Sequence, residues 1–181
     1  GALYVTDMYR GVSQHAAYMT EYLRKVTLER KLEQGVHFGR IWRITHANFK
    51  KQAIVDLSKL PIDQLCTQLE NPNAWYRENA QRMLVQINDK NAIPYLTRLL
   101  NDNTQPLAQI HALWTLEGMN ALKPEHCYKT YASKNTQVKS HSLRLLSVFA
   151  QKNNEIKSKI EQLVVQDINE ADDFLALQIA L

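Results

Sequence analysis

The sequence predicts a mainly α fold in which repeated helix pairs stack into an α-solenoid (an α-α superhelix), preceded by a short β/helix segment. Three observations lead there. The 181 residues include only 5 Gly and 5 Pro, too few for a turn-studded all-β fold over most of the length. From about Leu57 onward, short apolar-periodic stretches alternate with Asn, Asp and Pro turns. Finally, Tyr76–Leu84, Ala108–Leu116 and Val138–Leu146 can be laid over one another at offsets of 32 (108 − 76) and 30 (138 − 108) residues. Helix pairs repeating every 30-odd residues mark a solenoid, because neither helix of a pair covers its apolar stripe until the next pair stacks on it.

Residues 1–9 read as a strand, with Leu3, Tyr4 and Val5 supplying β propensity between Gly1 and Asp7. From Gln14 to Lys31, Met19, Tyr22, Leu23 and Val26 fall at helical spacing. Gly39–Ile44 is a second strand, in which Ile41 and Arg43 alternate with Trp42 and Ile44. Two isolated strands leave edges and faces uncovered, so residues 1–56 read as an incomplete segment. Residues 57–181 read as the helical repeats. Asp63–Glu70 is a short helix opened by Pro61, Asn71-Pro72-Asn73 breaks it, and Ala74–Gln86 is a stronger one. Second helices follow at Ile93–Leu100, Pro124–Ala132 and Glu155–Val165. A fourth copy starts near Phe174 and is expected to be truncated by the end of the chain.

Charge and composition narrow the function classes. Hydrophobic residues at 45% and charged residues at 22% exclude general disorder. The net charge of +4 is uneven: residues 1–60 carry 10 basic and 5 acidic side chains, and residues 61–181 carry 12 and 13. Arg40, Arg43, Lys50, Lys51 and Lys59 form the one candidate phosphate footprint. The near-neutral repeats carry no recurring basic ridge, so nucleic acid is an unfavoured partner. No stretch approaches 18 consecutive apolar residues, which argues against direct membrane insertion. Cys66 and Cys127 fit no CxxC or CxxCH spacing and read as buried free thiols, although a bridge between them stays open.

Few residues suggest chemistry. His15, with Tyr9, Arg10 and Tyr18 nearby, is the weak catalytic candidate: an imidazole beside Tyr and Arg suits proton transfer or ligand anchoring. The competing expectation is a structural polar knot, with Asp7 pairing to Arg10. His111 and His141 occupy equivalent repeat positions, where Asn79 stands in the first copy. Ridges about 10 Å apart are too far for both imidazoles to reach one ion, so hydrogen bonding between repeats is expected. His37, His46 and His126 show no ligand spacing. Trp75 and Trp114 are expected in the core.

Several motifs together resemble a known family. Asp7–Val12 with Gln14-His15, followed by Tyr18-Met19-Thr20 and Tyr22-Leu23-Arg24, resembles the closing segment of a bacterial membrane-associated or secreted dehydrogenase-like β-propeller of the glucose/sorbosone dehydrogenase-like (haem-binding dehydrogenase) group. Gly39–Ile44 is similar to that family's GRIYRI-like strand. Asn73–Arg77, Ala80–Val85 and His111–Gly118 resemble the HEAT-like region that follows it. The resemblance implies a longer parent in the periplasm or secreted, with pyrroloquinoline quinone or a cytochrome c haem as its cofactor. This sequence has no CxxCH and no cofactor site of its own. The expected function is therefore a non-catalytic HEAT-like (armadillo-like) scaffold or protein-interaction module. Its partners would be other proteins or adjacent domains of the same parent. The alternatives are part of a sugar or alcohol dehydrogenase whose pocket draws on Tyr9, Arg10 and His15, and a nucleic-acid-binding helical-repeat protein.

Overall fold

A computed structural model of the chain describes residues 2–13, 15–50, 53–101, 105–169 and 171–180. Gly1, Gln14, Lys51 and the Asp102-Asn103 part of a predicted turn lie outside the described residues. The protein is mainly helical with a small two-stranded antiparallel sheet, and it divides into two compact units, Gly1–Ile54 and Val55–Leu181.

In the first unit, β1 (Leu3–Asp7) pairs with β2 (Arg40–Ile44) in the register Leu3↔Ile44, Val5↔Trp42 and Asp7↔Arg40. Side chains alternate across a strand, so Leu3, Val5, Trp42 and Ile44 share one face with the Asp7–Arg40 pair. Tyr4, Thr6, Ile41 and Arg43 share the other. Between the strands the helical pattern yields a 3₁₀ turn at Ala16–Tyr18 and α1 (Glu21–Glu29), shorter than the span from Gln14 to Lys31. Thr20 accepts a hydrogen bond from Leu23 N and starts α1 there. Gly35 permits the return, since a Cβ there would sit 2.8 Å from the Tyr9 carbonyl oxygen. Tyr9 itself has a left-handed backbone, φ 47°. Among the described residues of this unit only Thr27 is buried, and its hydroxyl has no hydrogen-bond partner.

The second unit holds α2 (Ile62–Thr67), α3 (Ala74–Ile87), α4 (Ile93–Leu99), α5 (Pro106–Gly118), α6 (Pro124–Tyr131), α7 (Thr136–Ala150), α8 (Asn154–Asp167) and α9 (Asp173–Ala180). The turn residues act as expected. Asn73, Asn135 and Asn153 cap α3, α7 and α8 through their side-chain oxygens, and Pro106 and Pro124 open α5 and α6. Asn88 and Asn120, 32 positions apart, both take the left-handed conformation just after α3 and α5. Among the longer helices, α3 packs on α5, α5 on α7 and α7 on α9. The short helices pack on the long helix that follows: α2 on α3, α4 on α5, and α6 far more extensively on α7 than on α5. The sequence reading joins each long helix to the helix after it, which holds for α7 with α8 but not for α3 with α4 or α5 with α6. A buried hydroxyl pair, Thr130 Oγ1 and Ser142 Oγ at 2.7 Å, is part of the α6–α7 seam.

The main core runs from Leu57 to Leu146 through Leu65, Leu84, Leu96, Leu113 and Leu116, with Cys66 and Cys127 inside it as free thiols. Burial pushes Cys66 up to about 11 and Cys127 to about 12, so both are protonated and inert at neutral pH. A smaller cluster around Tyr131, Leu143 and Leu175 joins α6, α7 and α9. Beside it Lys139 Nζ donates to Asp167 Oδ2 at 2.8 Å and lies over the Tyr131 ring.

Candidate functional site

The sequence-predicted candidates separate when their contacts are traced. Asp7 pairs with Arg40 across the sheet, correcting the expected Asp7–Arg10 pair. Its Oδ2 accepts from Arg40 Nε at 3.0 Å and Trp42 Nε1 at 3.1 Å, and its Oδ1 accepts from Tyr9 N at 2.8 Å. The Trp42 bond, then those from Tyr9 N and Arg40, hold the Asp7 carboxyl below its ordinary range. The Arg40 guanidinium lies 4.3 Å from the Tyr9 ring centroid and 5.0 Å from that of Trp42, while Tyr9 meets Phe38 edge-on. His15 does something unrelated: its Nδ1 accepts from Ala17 N at the head of the 3₁₀ turn, and its ring meets Tyr18. Tyr9 belongs to the Asp7–Arg40–Trp42 cluster, His15 to a cap, and no hydrogen bond, ion pair or ring contact joins Tyr9, Arg10 and His15 among the described residues.

Three of the remaining basic candidates have partners of their own. Arg40 is matched by Asp7, Lys59 by Asp56, and Arg43 lies over Phe49. Lys51 lies outside the described residues.

On the helical unit, His111 and His141 bridge successive long helices, as the repeat registry suggests. Arg77 Nε donates to His111 Nε2 at 3.4 Å, which leaves the His111 proton on Nδ1, facing Gln81 Oε1 at 2.6 Å. Trp114 Nε1 donates to His141 Nδ1 at 3.1 Å, and Arg144 lies over the Trp114 ring. Burial and then the neighbouring Arg77 lower the His111 pKa; burial and then Arg144 lower that of His141. Both therefore sit neutral in the seam. Trp114 is half-buried against the core as expected, whereas Trp75 is 54% exposed. Trp75 lies in the first turn of α3, where its ring packs edge-on to Tyr76 instead of entering the core. A groove of about 430 Å³ runs between α3 and α5 beside Gln81, Val85 and Trp114. Among the described residues no group of three or more His, Cys, Asp or Glu side chains is placed to hold a metal ion, and no helix is long and apolar enough to cross a membrane.

The feature that distinguishes this molecule is the uncovered apolar surface of its sheet. Leu3 is 62% exposed, Trp42 51% and Ile44 54%, and on the opposite face Ile41 is 68% exposed. Residues 1–48, which contain the sheet and α1, match a family model described as a domain of unknown function, DUF7133. No curated protein and no solved structure matches the chain.

Composition did not single out this surface as a site. The signal was nonetheless present, since two strands with apolar residues on both faces need a further layer to cover them.

Proposed function

We propose that the chain is a non-catalytic scaffold, in which HEAT-like helix pairs form a solenoid and the sheet-bearing unit docks on a β-rich partner domain. The exposed apolar sheet is the observation that carries the docking role. Contiguous apolar side chains on a two-stranded sheet are stable only when another layer or strand covers them. The solenoid reading is supported by the unbroken row α3–α5–α7–α9 and by the side-chain bridges Arg77–His111 and Trp114–His141, which couple consecutive steps.

The resemblance noted above supplies the partner class, a dehydrogenase-like β-propeller of the same parent, located outside the cytoplasm. On this reading any pyrroloquinoline quinone or haem chemistry belongs to the parent's other domains, and this chain fixes their spacing. The test is calorimetric titration of the full chain into a purified dehydrogenase-like propeller lacking its closing strands. Saturable binding that is lost in Val5→Lys/Trp42→Lys, while the helical circular dichroism signal persists, supports the reading. Absence of binding, or binding unchanged in the variant, overturns it. For the solenoid itself, an experimental structure in which α4–α5 and α6–α7 fail to superpose as pairs would remove the repeat.

A further inference from the structure

A second feature lies at the turn end of the helical unit. A cavity of about 490 Å³ opens between the turn after α3 and the turn after α5, and its polar lining residues are Asn88, Lys90, Thr97, Asn120, Lys123 and His126. Lys90 and Lys123 contribute ammonium groups, His126 an imidazole, and Asn88 and Asn120 their amides. Ile93, Met119 and Ala121 supply an apolar wall.

Two details make this more than a patch of surface lysines. No carboxylate lines the cavity, and neither lysine belongs to an ion pair among the described residues. The imidazole is also fixed as a donor. His126 Nδ1 accepts from Lys123 N at 3.2 Å, so the proton of the neutral ring sits on Nε2. Two lysines and a histidine line one cavity whose lining holds no carboxylate, with Glu125 acting on the His126 imidazole from outside it, and an anion entering the cavity satisfies those donors.

We propose that this cavity binds a small organic anion, a phosphate monoester or carboxylate carried on an apolar body. Lys90, Lys123 and His126 would hold the oxyanion, and Ile93, Met119 and Ala121 would cover the body. The two asparagines are placed there by the repeat itself, since their left-handed caps fall 32 positions apart in successive copies. The site thus belongs to the junction between two repeats and not to either one.

The experiment is a titration of the ¹⁵N-labelled full chain, followed by NMR, with phenyl phosphate, benzoate, inorganic phosphate and benzyl alcohol. Saturable shifts confined to residues around Asn88–Ile93 and Met119–His126 are expected for phenyl phosphate or benzoate, and which of the two binds more tightly identifies the head group. Lys90→Ala/Lys123→Ala should weaken that binding at least tenfold with the rest of the spectrum unchanged. Equal affinity in the variant, equal affinity for benzyl alcohol, or inorganic phosphate binding as tightly as phenyl phosphate would each overturn the proposal, as would absence of saturable shifts. If the double variant does not fold, Lys90→Gln and Lys123→Gln, measured singly, decide between the same outcomes.

Discussion

The two units solve the same problem of covering apolar side chains in opposite ways. In the helical unit Leu65, Leu69, Leu96, Leu113, Leu116 and Leu146 are fully buried, because short and long helices pack over one another into one core. In the sheet unit most large apolar side chains keep between a third and four-fifths of their surface exposed, and among the described residues the one buried side chain is a threonine. Burial of apolar surface is the main favourable contribution to folding, at about 25 cal/mol per Å². The helical unit therefore holds a continuous apolar core, whereas the sheet unit leaves most of its apolar side chains in solvent.

The largest expected effect tests that contrast directly. Leu113→Ala removes a fully buried side chain from the main core and should destabilise the helical unit by about 2–5 kcal/mol in urea unfolding followed by circular dichroism. Val5→Ala on the sheet should leave the same transition within about 0.5 kcal/mol. Comparable losses for the two would erase the distinction between the units.

Next is the tight seam between α3 and α5. A Cβ on Gly118 would lie 2.8 Å from Val85 Cγ2 and 3.1 Å from Cγ1. Gly118→Ala should cost about 1–3 kcal/mol despite the gain in helix propensity. Val85→Ala in the same chain should recover most of that loss, and a double-mutant cycle with no coupling would show that the helices are not held together at this point.

Smaller effects follow from the titrating groups in the helical unit. His111 and His141 have folded pKa values below their ordinary 6.5, so the unfolded chain binds those protons more readily. Their contribution is fully present above about pH 6.5 and is lost as pH falls through the folded values. Thermal melts should show a fall in stability below about pH 6.5 that flattens in His111→Gln/His141→Gln. Asp167 is also depressed, chiefly by the Lys139 hydrogen bond, from its ordinary 3.8. Its stabilisation is present above about pH 4 and disappears as pH falls through the lowered value. Asp167→Asn should cost about 1 kcal/mol at neutral pH, with a shallower acid limb in the unfolding curve.

Much of this molecule is legible in the chain. The alternation in Gly39–Ile44 locates β2 within a residue, the Asn and Pro turns locate α3 and α6 with similar accuracy, and the repeat segments Ala108–Leu116 and Val138–Leu146 fall inside α5 and α7, two to four residues short of their ends. The equivalence of His111 and His141 also anticipates their bridging role. Those features are local, set by side-chain periodicity and by turn residues that satisfy or terminate backbone hydrogen bonds. The chain places Asp7 beside Arg10, but its partner Arg40 is 33 positions away and becomes adjacent only through the strand register. An apolar pattern points Trp75 to the core, yet it does not say whether the first turn of a helix has a neighbour.

The sequence by itself therefore determined the helical composition, the two strands, the 30-odd-residue recurrence and the isolation of the cysteines from any metal or haem spacing. Only the tertiary structure decided which long helix each short helix packs against, that both faces of the sheet are left open, and that Lys90, Lys123 and His126 converge on one cavity. The physical reason is that local periodicity fixes which face of an element is apolar, whereas the identity of what meets that face depends on contacts between residues far apart in the chain.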